Sequence, residues 1–239
     1  MVCSFVDAPK IKEWIEICQM MKLFDTMVCF KFTTTELTIQ MVHMSKRCVV
    51  EMKFPSTWFS TYEWTDMEFY IDTESIHTIF SLYSGEKMIS MECEKRYMTV
   101  KMFHDDQKKH FSIPINLQNQ SQLVIQPEEG FHCKISPSYF SALCEQLSQF
   151  GNTVSFFIKK DLFHLTTYRS EKMLVEVNPE RIEVITEGDA EGYFELYYLN
   201  LFLKFATFHD SVHLKINEFL HFSLEKEYTV HYYVSPNKN

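Results

Sequence analysis

Apolar residues recur at one spacing in four places along this chain of 239 residues, and that recurrence limits its architecture more than any single motif. Ile11, Trp14, Ile15 and Cys18 form the first set, and Ile76, Ile79, Phe80 and Tyr83 the second. Phe140, Leu143, Cys144 and Leu147 follow, then Leu199, Phe202, Leu203 and Ala206. Each set is the i, i+3, i+4, i+7 stripe of an amphipathic helix. The first two start 65 residues apart, from Ile11 to Ile76, and the last two 59 apart, from Phe140 to Leu199. The chain therefore reads as two copies of one unit, each ordered helix, strands, helix, strands. A repeat of this length is a duplicated domain, because solenoid periods run about 20 to 50 residues.

Between the copies lies residues 116–129, Asn-Leu-Gln-Asn-Gln-Ser-Gln-Leu-Val-Ile-Gln-Pro-Glu-Glu, which holds one apolar run and no Lys or Arg. A connection this long without secondary structure of its own is a linker or a functional segment. The predicted division is 1–115, a connector at 116–130, and 131–239. Two domains of about 110 residues suit the usual domain size.

Hydrophobic content of 46% and 22 phenylalanines predict packed cores. Five glycines leave no glycine-rich phosphate loop. Seven cysteines without a Cys-x-x-Cys pair argue against a disulfide framework or zinc ribbon and for a reducing compartment. Residues 1–9 lack the pattern of a signal peptide, and no apolar run has the length of a membrane span, so a soluble intracellular protein is expected. The net charge of −9 speaks against nucleic acid as partner, since phosphate affinity comes from Lys and Arg. A toroid with a basic inner wall would escape that argument.

Local patterns place the elements. A strand over 3–7 leads into a helix that starts near Pro9 and runs to residue 23. Strands are expected over 27–33, 36–42 and 48–54, where β-branched and aromatic residues concentrate. Trp58, Tyr62 and Trp64 could form a base-stacking platform, but no arginine accompanies them and a place in the core is the stronger reading. A second helix over 73–83 stops at Ser84 and Gly85. A hairpin over 88–103 follows, then a polar turn over 104–110 and a half-buried strand over 111–115. In the second copy, Ser136 and Pro137 open a helix closed by Phe150 and Gly151. Strands are expected over 131–135, 154–158, 162–167, 173–177, 179–185 and 193–196, with a loop over 187–192. A fourth helix covers 198–208, and three strands, 212–216, 219–225 and 228–234, end the chain.

Catalytic and metal signals are weak. His104, Asp105, Asp106 and His110 offer metal-ligand chemistry, yet they sit in a lysine-bearing turn, and a catalytic zinc site needs three ligands in fixed geometry. His209 and His213 have the spacing of two ligands on one helical face, but a helix end falls between them. No nucleophile, base and orienter group together, so no enzymatic activity, catalytic residue, metal or cofactor is expected.

The run Tyr198-Leu199-Asn200-Leu201-Phe202-Leu203-Lys204, then Asp210-Ser211-Val212-His213-Leu214 and the ending Tyr232-Tyr233-Val234-Ser235-Pro236, resembles the C-terminal third of the proliferating cell nuclear antigen family, the eukaryotic sliding clamp. Residues 140–151 resemble that family's second-domain helix, and Leu123-x-Ile125 its interdomain connector. The resemblance implies an α+β fold of two tandem clamp domains, antiparallel sheets with helices on one inner face, assembled as a ring around duplex DNA. It implies a processivity factor that tethers DNA polymerase and other peptide-motif proteins after a clamp loader has placed it. A homotrimer or a heteromeric ring would assemble by pairing residues 111–115 of one copy with 173–177 of the next. Its place would be the nucleus or another intracellular site of DNA replication, in a cellular or viral setting, with no membrane partner.

Carried over by position, the partner-peptide pocket comprises Val42, Lys46, Leu123, Ile125, Phe131, Tyr233, Ser235 and Pro236. The DNA-facing candidates are Lys10, Lys12, His77 and Lys204. Other positions that would be basic in the family read Glu13, Gln19, Phe80, Ala142, Glu145 and Tyr197. Helices drawn over 10–22, 73–84, 137–150 and 197–209 carry +1, −1, −1 and +1, which cancel. Such a channel would exert almost no electrostatic pull on DNA. Two alternatives stay open: a clamp-fold interaction module or heteromeric checkpoint-type subunit that does not slide by itself, and an enzyme using His104, Asp105 and Asp106.

Overall fold

The computed structural model describes residues 1–117, 123, 125, 130–160, 162–169, 171–207 and 209–237. Most of the connector expected at 116–130, and the helix end expected at Phe208, lie outside the described residues. The chain folds as two compact units, Met1–Lys46 with Val50–Leu123, and Arg47–Val49 with Val124–Asn239.

The first unit runs β1 (Val2–Phe5), α1 (Ala8–Met21), β2 (Met27–Phe32), β3 (Glu36–Val42), β4 (Cys48–Pro55), β5 (Thr61–Glu63), β6 (Met67–Asp72), α2 (Thr73–Phe80), β7 (Met88–Glu94), β8 (Tyr97–His104) and β9 (Gln107–Pro114). The second runs β10 (Phe131–Ile135), α3 (Pro137–Ser148), β11 (Thr153–Lys159), β12 (Leu162–Tyr168), β13 (Lys172–Glu176), β14 (Ile182–Thr186), β15 (Ala190–Glu195), α4 (Leu196–Ala206), β16 (Val212–Ile216), β17 (Leu220–Glu225) and β18 (Thr229–Val234). Within the first unit the strands order as β5-β1-β7-β8-β9 and β4-β3-β2-β6. Within the second they order as β14-β10-β16-β17-β18 and β13-β12-β11-β15. Element by element, in chain order, the two lists are the same.

Three of the four helices start where the sequence supplies a cap. Asp7 accepts the Lys10 amide at 3.1 Å and Asp72 the Ser75 amide at 2.7 Å, while Ser136 precedes Pro137 at the start of α3. These acceptors satisfy amides that have no partner within the helix. Glu195 precedes α4 without capping it, and its carboxylate instead meets Arg47 at 3.2 Å. The predicted stripes of α1 and α3 are fully buried, and Ile17 and Met21 join them. In α4, Leu203 is only half-buried, while Tyr198, Leu201 and Phe205 are buried as well. Within each unit the two helices pack against each other, α1 on α2 and α3 on α4.

Rings fill both cores. In the first unit Phe5, Trp14, Phe54 and Trp58 interlock at centroid distances of 4.8 to 6.1 Å, and Trp64 stacks on Phe32 at 3.5 Å. Trp58 and Trp64 are therefore core residues, which disposes of the stacking platform. In the second unit Phe202 stacks on Phe222 at 4.2 Å, and the buried Tyr232 hydroxyl donates to the Tyr198 carbonyl at 2.8 Å.

Several boundaries differ from expectation for local reasons. The first strand ends at Phe5 because Asp7 is committed to capping α1. Within 104–110 the turn is Asp105-Asp106 alone, and Gln107 already opens β9, whose exposed polar residues hid the strand. Residues 179–181 form a 3-10 turn capped by Asn178 rather than strand. The glycine-bearing 190–192 belongs to β15, where a Cβ on Gly192 would stand 2.6 Å from the buried Phe194 ring and force it to shift. Glycine scarcity shows elsewhere too: Lys46, Lys95 and Lys160 occupy turn positions with φ of 59°, 53° and 51°.

Candidate functional site

The cations carried over onto the helices differ in their freedom. Lys12 on α1 is exposed, with only a loose 3.9 Å pairing to Glu16 one turn on. Lys204 in the last turn of α4 is exposed, as a cation near a helix C-terminus should be. Lys10 is partly buried, and its ammonium donates to the Trp58 carbonyl at 3.1 Å and lies 5.8 Å from that indole ring. His77 is half-buried and its Nδ1 lies 3.2 Å from Lys22 Nζ. Lys22, the exposed C-cap of α1, is thus a cation that the positional carry-over left out. Over the observed helices α1 is neutral, α2 and α3 are each −1 and α4 is +1, because Lys22 falls outside α1.

The residues carried over for peptide binding fall in both units. In the first, Val42 ends β3 half-buried, and Lys46 is exposed in a turn closed by its own amide on the His43 carbonyl at 2.6 Å. Leu123 presents an exposed side chain, while its backbone is held at both ends by the Gln40 carboxamide. Exposed Met44 and Leu117 are apolar surface that the positional carry-over did not include.

In the second unit Ile125 is half-buried and Phe131 is buried in β10. Tyr233 lies face to face with His221 at 4.4 Å and 9°. His221 Nε2 in turn meets His231 Nδ1 at 3.2 Å. Burial first, then His231 and Lys215, pushes the His221 pKa down to about 3, so the ring is neutral. Beyond Tyr233, the Ser235 amide donates to the Arg47 carbonyl at 2.8 Å and the Asn237 amide to the Tyr193 carbonyl at 2.7 Å. Arg47 Nη1 also binds the Asn237 side chain, so Ser235 and Pro236 lie on a tethered tail.

Chemistry-bearing groups stay dispersed. Asp105 is paired with Lys87 at 2.6 Å. His209 and His213 separate as expected: His209 is buried, with Nδ1 on the Phe205 carbonyl at 3.3 Å, and His213 on β16 pairs with His132 at 3.0 Å. Among the described residues no group of three His, Cys, Asp or Glu is placed to hold a metal, and no helix is long and apolar enough to cross a membrane.

No family model matches the chain, and no curated protein matches it in sequence. Solved structures match its whole length. The chain superposes on the Proliferating Cellular Nuclear Antigen (PCNA) of Entamoeba histolytica with a TM-score of 0.86, over 99% of this chain and 98% of that one, at 13% identity. This chain has the PCNA clamp fold. It superposes equally fully on a structure of the PCNA2-PCNA3 complex from Sulfolobus tokodaii, with a TM-score of 0.84, 99% of each chain covered and 16% identity. The clamp fold explains the repeated strand order, since each unit is one copy of the same α+β module of antiparallel sheets and two helices.

Proposed function

We propose that the protein is a DNA sliding clamp, a ring of such chains that encircles duplex DNA and tethers polymerase and other partners by their peptides, without chemistry of its own. The observation that carries this reading is the full-length likeness to PCNA structures together with a strand order repeated in both units. In this reading 1–115 and 131–239 are the clamp domains and 116–130 connects them. Lys12 and Lys204, with Lys10 and His77, face the DNA. Val42, Lys46, Leu123, Ile125, Phe131, Tyr233, Ser235 and Pro236 serve partner peptides. Two strand edges support ring closure: β9 ends one sheet and β13 another, and unpaired edges are templates for pairing between copies.

Oligomeric mass in solution, followed by retention on circular but not linearised DNA after loading, tests the reading. A homotrimer retained only on closed circles is expected, with Lys12→Ala combined with Lys204→Ala shortening retention. A monomer that never closes on DNA, alone or with other chains, refutes it. A heteromeric ring is the second reading, favoured by helices whose formal charges sum to −1. A partner chain would then supply the cations that phosphate binding needs.

A further inference from the structure

Strand β3 alternates Leu37, Ile39 and Met41 with Thr38 and Gln40, yet all five are buried, the two polar residues at 6% exposure each. A buried carboxamide must find partners for its donors and its acceptor. Gln40 finds them 83 residues away, where its Nε2 donates to the Leu123 carbonyl at 2.9 Å and its Oε1 accepts the Leu123 amide at 3.0 Å. Two antiparallel hydrogen bonds to one residue reproduce what a neighbouring strand would make. The amides of Asn and Gln carry donor and acceptor side by side on one planar group at any pH, and Asn is a methylene shorter. The orientation of the amide is fixed by a third contact, since Glu51 Oε2 lies 3.4 Å from Nε2 and its other oxygen holds Lys53 at 2.9 Å. Turned over, the amide would set its oxygen against both the Leu123 carbonyl and the Glu51 carboxylate. Held in this way, Leu123 keeps its backbone on β3 and its side chain 49% exposed.

We propose that Gln40 is a positioning residue for partner recognition: its carboxamide clasps the Leu123 backbone and so presents the Leu123 side chain as a fixed apolar contact for an incoming peptide anchor. The proposal rests on the clamp reading. A contact fixed before binding costs less ordering when the ligand arrives, and loss of the clasp is expected to cost about tenfold in affinity, the scale of one to two net hydrogen bonds.

The test uses the full chain and a labelled peptide with aliphatic and aromatic anchors and no ionisable side chains. Gln40→Leu is expected to speed amide exchange at Leu123 by about tenfold and to weaken peptide binding by about tenfold, with little change in Tm. Gln40→Glu is expected to weaken binding at neutral pH and to recover it as the introduced carboxyl takes a proton, because the acid form again offers donor and acceptor. The unaltered protein should show no such recovery. Unchanged Leu123 exchange in Gln40→Leu, or peptide binding as tight as in the unaltered protein, overturns the proposal alone. Failure of the unaltered protein to bind the peptide overturns the clamp reading and the proposal together.

Discussion

The first unit packs its core around all three tryptophans, Trp14, Trp58 and Trp64, whereas the second reaches the same strand order with none. Its rings are phenylalanine and tyrosine, as in the Phe202, Phe222 and Tyr232 group. Their polar groups differ in the same way. The first unit buries the carboxylate of Glu86, whose side chain is fully enclosed and takes hydrogen bonds from Lys109 at 2.5 Å and the Ser84 amide at 2.7 Å. The second pairs imidazoles instead, His132 with His213 and His221 with His231. A common topology therefore does not impose a common core. Binary pattern and capping set the element order, and volume and polar satisfaction are solved separately in each half.

This contrast can be tested from its largest expected effect down. Trp14→Ala should cost about 3 to 5 kcal/mol, the scale for removing a buried large ring. Urea unfolding followed by probes in each unit should show the loss in the first, and a uniform loss would mean that the cores are not independent. Glu86→Gln should cost roughly 3 kcal/mol at neutral pH, because Lys109 would lose a buried ionic partner. Burial alone would raise the Glu86 pKa, but hydrogen bonds from Lys109 and Ser84 outweigh it and hold the carboxyl below its ordinary 4.5. Its contribution is complete above about that value and fades as pH falls below it, so the variant and the parent should converge in acid denaturation.

The second unit should feel acid earlier. Burial lowers the pKa of His132, His209, His213 and His221 below the ordinary 6.5, and that of His221 to about 3. Below about pH 6.5 the unfolded chain takes up protons that the folded chain refuses, so stability falls as pH falls. His221 alone should cost roughly 2 kcal/mol by about pH 5. Amide exchange across a pH series should therefore show opening of β16–β18 before β7–β9, and the reverse order would break the comparison. The smallest effect belongs to Lys12→Ala, whose exposed pairing with Glu16 should change stability by less than about 0.5 kcal/mol.

Much of this fold was legible because its signals are local. Strands Glu36–Val42 and Val212–Ile216 are marked by their β-branched residues, Phe131–Ile135 by its alternation of Phe131, Cys133 and Ile135, and the stripes on α1 and α3 are readable because one face of each is buried. The start of β9 was hidden because Gln107-Lys108-Lys109-His110 has no apolar face to alternate with, and Lys109 finds its carboxylate 23 residues back in sequence. The start of β15 was hidden by a glycine that serves a neighbouring ring rather than a turn. At the candidate site, Leu123 was reached through the resemblance, but Gln40 was not. Nothing in Glu-Leu-Thr-Ile-Gln-Met-Val marks a glutamine whose partner lies 83 residues on. Contacts of that kind belong to the tertiary structure alone.

The seven thiols give the molecule a reporter set of its own. All are buried, and burial holds those of Cys3, Cys48, Cys133 and Cys144 at a pKa of about 12. A thiol that neither ionises nor meets solvent resists alkylation until its surroundings open. Cys3, Cys18, Cys29 and Cys93 belong to the first unit and Cys133 and Cys144 to the second, while Cys48 starts β4 in the short segment Arg47–Val49 that groups with the second. Labelling rates at individual cysteines would thus time the breathing of each half without any introduced probe.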